Sequence, residues 1–240
     1  MTPLPPPTPP RLDVALTIRR TLQAYARDFA AVLLAGIMLV VLPAVLARSI
    51  PAAGDWTTLV ITARAVCAML YVALVSWGVV ARYSGRALPP RAFLREGLAR
   101  ATPGLQVALL AGAAIVAGLT VQLFARHGTL AGWALDALLL AAGLWAACVV
   151  MPVVPAAVAE RLSPMQAFRR AAALTEGNRN RILVLALLAL FTLAPTTILA
   201  ITAGNPWLLA GVELLAWSLA ATLPAVIYTV LRGAQSPDYQ

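Results

Sequence analysis

Six apolar stretches, each long enough to cross a bilayer, alternate along this chain with short arginine-bearing segments. A spanning helix needs about 20 apolar residues to cross a hydrocarbon core near 30 Å thick. The stretches are Phe29–Ala47, Thr57–Val80, Gly104–Ala125, Leu130–Ala159, Ile182–Ala203 and Trp207–Leu231. The second, fourth and sixth are each interrupted by one ionisable residue: Arg64, Asp136 and Glu213. In lipid, a helix is the only open-chain structure that satisfies its own backbone groups. The pattern therefore predicts an all-α membrane protein with six transmembrane helices. Gly204-Asn205-Pro206 marks a tight turn between the last two.

The polar segments repeat. Thr17-Ile18-Arg19-Arg20, Ala92-Phe93-Leu94-Arg95 and Ala167-Phe168-Arg169-Arg170 stand 75 residues apart. A fixed internal period means one structural unit used repeatedly. The unit predicted here is an interfacial amphipathic helix followed by a transmembrane hairpin, giving three pseudo-repeats at about 11–82, 86–160 and 161–232 within a single membrane domain, 11–232. In the first unit Val14, Leu16, Ile18, Leu22 and Tyr25 are expected to share an apolar face, with Arg19, Arg20, Gln23 and Arg27 elsewhere. In the third, Met165, Phe168, Ala172 and Leu174 alternate with Arg169, Arg170 and Arg179. Such helices lie in the membrane interface with arginines reaching the headgroups; Arg19, Arg20 and Arg95 are the basic residues expected there. Residues 1–10 hold six prolines and no charge, which reads as a disordered tail rather than a signal peptide. Residues 233–240 form a second tail.

Composition sharpens this picture. Hydrophobic residues make up 61% of the chain and charged ones 11%, against roughly 45–50% and about 25% in ordinary soluble domains. Mean hydropathy is +0.85, so a soluble globular domain is excluded. All 18 basic residues are arginine. Fifteen of them fall before the first, between the second and third, between the fourth and fifth, and after the sixth stretch; the opposite loops hold only Arg48 and Arg126. This asymmetry predicts both termini on the cytoplasmic side of the membrane. Trp56, Trp133 and Trp207 open the even-numbered stretches and fit one aromatic belt at the other face. Each arginine near an anionic leaflet contributes about 1 kcal/mol, so anionic lipids are the expected partners, with a protein partner also possible. The net charge of +9 does not indicate nucleic acid, because the basic residues are spread over juxtamembrane segments without aromatic stacking platforms.

Arg64, Asp136 and Glu213 each lie six or seven residues past the outer end of an even-numbered stretch, which puts them at a similar depth, roughly 10 Å in. An ionisable group at the centre of a spanning helix costs about 2.5–3.5 kcal/mol on insertion scales, and pairing offsets part of it. Arg64 is expected to bridge Asp136 and Glu213, either as a structural ion cluster or as a proton- or substrate-coupled site. Kinks are expected at Pro43, Pro195 and Pro224, and near Pro152 and Pro155. Catalytic constellations are missing from the sequence. There is one histidine, His127, and no lysine; Cys67 and Cys148 fall inside apolar stretches as free thiols. No metal site and no cofactor is expected, and the chain is not read as an enzyme.

One segment carries a family resemblance. Pro152-Val153-Val154-Pro155, Glu160-Arg161-Leu162-Ser163-Pro164, Ala167-Phe168-Arg169-Arg170 and Leu174-Thr175-Glu176-Gly177-Asn178-Arg179 together resemble a recurring segment of the glycerophosphoryl diester phosphodiesterase membrane-domain group of bacterial membrane proteins. About 30 residues match well. The resemblance implies membrane architecture and not the phosphodiesterase reaction, whose barrel needs about 250 residues. Within the segment, Ser163 is placed to cap a helix starting at Pro164, and Gly177 to end it. Glu160, Arg169 and Arg170 are candidates for an ion-pair set, and Arg179 and Arg181 for headgroup anchors. The functional expectation is a non-catalytic multi-pass protein that organises or senses the membrane, or serves a partner. The alternative is a small transporter or channel using Arg64, Asp136 and Glu213.

Overall fold

An apolar chain with no water for its peptide groups must bond them internally, and helices carry almost all of the structure. The structure, a computed structural model, describes residues 11–49, 56–123 and 130–233. Among these there is no strand. The helices are α1 (Val14–Arg27), α2 (Phe29–Gly36), α3 (Leu42–Ser49), α4 (Trp56–Tyr83), α5 (Pro90–Leu123), α6 (Leu130–Val150), α7 (Val153–Glu160), α8 (Pro164–Thr175), α9 (Arg179–Thr202) and α10 (Pro206–Gly233).

Five helical stretches are long and apolar enough to cross a membrane: Phe29–Arg48, Leu59–Tyr83, Gly132–Glu160, Arg179–Thr202 and Trp207–Gly233. They make this a membrane protein by length and composition. The expected stretch from Gly104 lies inside α5 as far as Leu123 and is not one of the five. His127 and Arg126 lie outside the described residues.

The prolines act where expected but differently. Between α2 and α3, Ile37–Val41 form one wide π-turn, in which the Leu42 N–H donates to the Ile37 carbonyl five residues back. Pro43 follows directly; it has no N–H to donate, and the wider turn accommodates its ring. At Pro152 the helix stops, separating α6 from α7. Pro195 and Pro224 sit inside unbroken helices, as does Pro103 in α5.

The second basic segment is not a separate surface helix. It runs without interruption into α5, from Pro90 to Leu123. The other two segments have stops of their own: Asp28 ends α1, and Gly177 in a left-handed conformation (φ +76°) follows α8. Ala101-Thr102-Pro103-Gly104 adopts no positive φ, so nothing there turns the chain.

α4 is the central helix and packs on α5 and α10. Glycines permit the closest approaches. A Cβ on Gly78 would overlap the Phe93 ring of α5, and one on Gly36 would overlap the Leu214 side chain of α10. Tyr71, Leu74, Val75 and Val79 of α4 form one core with Phe93, Ala221, Ala225 and Val226. α9 and α6 lie outside, with Phe191, Leu199, Leu138 and Trp145 exposed. Trp133 and Trp207 are exposed too.

The faces that α1 and α8 pack on the other helices are distinct from the apolar faces expected in the interface. On α1 the buried stripe is Thr17, Thr21 and Ala24, while Leu16 and Leu22 point outward. The threonines satisfy their hydroxyls within the helix, Thr17 donating to the Asp13 carbonyl (2.6 Å) and Thr21 to the Thr17 carbonyl (2.9 Å), so they bury without an orphaned polar group. Val14 and Ile18 do pack against the core. On α8, Ala167, Ala171 and Leu174 are buried and Met165 is exposed.

Candidate functional site

The charged residues collect at the two ends of the α4–α10 pair, which runs parallel. Successive contacts show the direction: Arg64 meets Glu213, Tyr71 meets Ser218, and Ser76 meets Ala221. The α2–α3 segment runs the opposite way beside them, from Asp28 at one end to Arg48 at the other.

At the first end, one carboxylate oxygen holds two arginines. Glu213 Oε1 lies 2.7 Å from Arg48 Nη2 and 2.7 Å from Arg64 Nη2. Oε2 is buried with no hydrogen-bond partner. Arg64 and Glu213 are thus joined as expected, but the third member found here is Arg48, not Asp136. Asp136 is partly buried on α6, which packs chiefly on α9 and α8 rather than on α4 or α10. The 75-residue alignment gave depth but no azimuth, and Arg48, at the end of the first apolar stretch, was read only as a topology signal.

A buried polar seam runs on from there. The Tyr71 hydroxyl and Ser218 Oγ lie 2.6 Å apart, and Ser218 donates to the Leu214 carbonyl (2.7 Å). Ser76 donates to the Ala221 carbonyl (3.4 Å), and the Thr222 hydroxyl has no partner.

At the opposite end, Arg82 closes the seam with a bidentate pair to Asp28: Nε to Oδ2 at 2.6 Å, and Nη2 to Oδ1. Asp28 is buried where α1 meets α2. Glu160, at the end of α7, accepts from the Tyr228 hydroxyl (2.6 Å) and from Arg170 Nε (3.4 Å). Two members of the expected Glu160 set are therefore together, while Arg169 is exposed. Ser163 and Gln166 form a capping box at Pro164, as the sequence indicated. Thr175 is buried and donates to the Ala172 carbonyl (3.2 Å).

Arg179 and Arg181, expected as headgroup anchors, both have partners within the chain. Arg181 Nη1 donates to the Leu12 carbonyl (2.6 Å), and Asn178 Oδ1 accepts from the Leu12 N–H (2.8 Å). Arg179 lies over the Trp145 ring, 5.5 Å from its centroid. Leu12 is buried against α9 and α10, so this clamp ties the start of the chain to the start of α9. Arg100 stacks on Trp77 at 3.9 Å. Burial first, and then the neighbouring Arg161 and Arg86, lower its pKa from the usual arginine value.

Between α1 and the ends of α4 and α10 lies a half-open groove of about 630 Å³. Arg20, Gln23 and Arg27 form one wall; Val80, Tyr83 and Ser84 form the second, and Tyr228, Thr229, Val230, Arg232 and Gly233 the third. Among the described residues, no acidic side chain lines it. Among the described residues, Arg20, Arg27 and Arg232 have no carboxylate within ion-pair distance. Arg19 and Arg95 are exposed outside the groove.

No protein-family model, curated protein or solved structure matches this chain. Among the described residues, no group of three His, Cys, Asp or Glu side chains is placed to hold a metal. What the arrangement offers chemically is a fixed ion set at one end and uncommitted guanidiniums at the other. Sequence reasoning missed Asp28, Arg82, Tyr71 and Ser218. Asp28 and Arg82 did carry a signal, since each borders an apolar stretch on the arginine-rich side.

Proposed function

We propose that this chain is a non-catalytic multi-pass protein of a bacterial cytoplasmic membrane that organises lipid, or a partner, around its arginine-rich end. In this reading α5 supplies a sixth span, both termini are cytoplasmic, and three units repeat. The helix starts support the repeat: Val14, Pro90 and Pro164 for the basic segments, and Trp56, Leu130 and Pro206 for the second spans, all near the 75-residue spacing. The resemblance of Pro152–Arg179 to the phosphodiesterase membrane-domain group is taken as architecture alone.

The observation that carries the reading is the closed α4–α10 seam. Its polar groups mostly bond directly to one another and to backbone carbonyls, and Gly36 brings the first apolar stretch flush against Leu214 and Tyr71. A partly exposed ion set that ties three helices at the end of such packing acts as a lock that fixes how they meet. A transport site would instead need Glu213 to face a path for its substrate.

Proteoliposomes test this. Ion or proton flux no greater than in empty liposomes, in wild type and in Glu213→Gln alike, is the expected result. Flux abolished by Glu213→Gln would replace the organising role with transport. Thiol labelling of a Cys-free background carrying single cysteines at Ser84, Ser163 and Asn205 tests the topology. The first two should label from the cytoplasmic side and the third from the other.

A further inference from the structure

We propose that the groove between α1, α4 and α10 is a binding site for the headgroup of one anionic phospholipid, held by Arg20, Arg27 and Arg232. This rests on the membrane reading above and adds a defined site to it.

The donors in the groove point to the ligand class. All four hydroxyls lining it already donate elsewhere. Tyr83 donates to the Arg20 carbonyl (3.1 Å), Ser84 to the Val80 carbonyl (2.9 Å), Tyr228 to Glu160 (2.6 Å) and Thr229 to the Val226 carbonyl (2.8 Å). What remains to donate is three guanidiniums and the Gln23 amide. The charged side chains among the described lining are all arginines, which favours a ligand carrying negative charge; a phosphate supplies that charge with several acceptor oxygens, and the planar guanidinium fork suits it. Arg20, Gln23 and Arg27 are spaced i, i+3, i+7 and so fall on one face of α1. The acids bordering the groove are already engaged, Asp28 by Arg82 and Glu160 by Arg170 and Tyr228.

Position decides between a lipid and a free anion. The groove lies where two apolar stretches end, Leu59–Tyr83 and Trp207–Gly233. Val80 and Val230 line it beside the arginines. If those helices span the membrane, this is headgroup depth, where acyl chains lie along the apolar helices below. The volume falls within the roughly 300–1,000 Å³ of small-molecule sites, enough for a headgroup rather than a lone ion.

The test uses the full-length protein in non-ionic detergent. Native mass spectrometry counts the lipid retained when phosphatidylglycerol, phosphatidic acid or phosphatidylcholine is offered at equal concentration. One anionic lipid per chain should be held, at least about tenfold more tightly than phosphatidylcholine. Arg20→Gln/Arg27→Gln should erase that preference. Arg19→Gln/Arg95→Gln removes the same charge outside the groove and should change it less than about twofold. Gln23→Glu puts a carboxylate into the wall beside Arg27 and should act like the first pair; it also serves if the double variant does not fold. Equal weakening by both double variants would show diffuse surface attraction and overturn the proposal. Displacement by inorganic phosphate or glycerol phosphate at the lipid's own concentration would overturn it in favour of a soluble anion. Failure of the wild type to fractionate with membranes would sink the membrane reading itself. A membrane-bound chain with no lipid preference would sink only the groove.

Discussion

Glu213→Gln should destabilise the protein more than loss of either arginine it holds, and removing one of those arginines should partly repair the damage. Arg48 Nη2 and Arg64 Nη2 both lie 2.7 Å from the same oxygen. The two nitrogens are therefore no farther apart than about 5 Å, where like charges at an effective dielectric near 20 repel by roughly 3 kcal/mol. The arginine side chains are 26% and 37% exposed and free to swing apart, so screening reduces this to about 1–2 kcal/mol. Two charge-assisted hydrogen bonds are lost as well. The total for Glu213→Gln is then about 2–4 kcal/mol, below the range for a fully buried pair because both arginines reach solvent. Arg64→Gln alone leaves the Arg48–Glu213 pair intact and removes the repulsion, so it should cost about 1 kcal/mol or less. The double variant Glu213→Gln/Arg64→Gln should recover about 1–2 kcal/mol relative to Glu213→Gln. Reversible unfolding in mixed micelles, with sodium dodecyl sulfate as denaturant and far-ultraviolet dichroism as readout, measures all three. A double variant no more stable than Glu213→Gln would refute the picture of one carboxylate holding two cations.

The opposite end should show a different asymmetry. Arg82→Ala strands the buried Asp28 and should cost about 3–5 kcal/mol, whereas Asp28→Asn leaves a partly exposed arginine with an acceptor and should cost about 1–2 kcal/mol. The same unfolding assay decides, and the reverse order would contradict the burial. Gly78→Ala pushes a methyl into the Phe93 ring and should cost about 1–3 kcal/mol through overpacking; a neutral result would mean that α4 and α5 separate readily. Asn178→Ala/Arg181→Ala removes both bonds to Leu12 and should speed tryptic cleavage at Arg11 several-fold. An unchanged rate would show that packing alone holds the segment.

Periodicity revealed the helices well, because apolar length and the arginine punctuation follow from the bilayer itself. Ser163, Pro164 and Gly177 were legible because caps are local. The Arg64–Glu213 contact was half legible, since depth can be counted along a helix. Which helix stands beside which cannot, and so Asp136 was grouped with Arg64 and Glu213 although α6 packs chiefly on α9 and α8. The protein-facing stripe of α1 was not foreseen, for a chemical reason. Threonine scores as polar, yet Thr17 and Thr21 bond within the helix and bury as if apolar. The groove was not legible at all: Arg20, Arg27 and Arg232 stand at both ends of the chain, and only folding brings them together.

The balance of charge explains why that groove matters. Nine carboxylates face eighteen arginines. Asp28, Glu96, Glu160 and Glu213 are each engaged with arginine, and Asp13 caps α1 by accepting from the Leu16 N–H. These carboxylates are committed within the chain, and among the described residues none stands at ion-pair distance from Arg20, Arg27 or Arg232. These three arginines converge on one groove, where their mutual repulsion opposes the packing of α1 on α10. An anion bound there would relieve that repulsion only in the folded state, since unfolding separates Arg27 from Arg232. Binding to the folded state alone adds about 2.7 kcal/mol of stability when ligand is at 100 times its dissociation constant. Phosphatidylglycerol should therefore raise the unfolding midpoint of the wild type, and should leave that of Arg20→Gln/Arg27→Gln nearly unchanged. A shift of equal size in both would mean that the lipid acts on the surface at large, and that the convergence of these arginines has no bearing on what the protein holds.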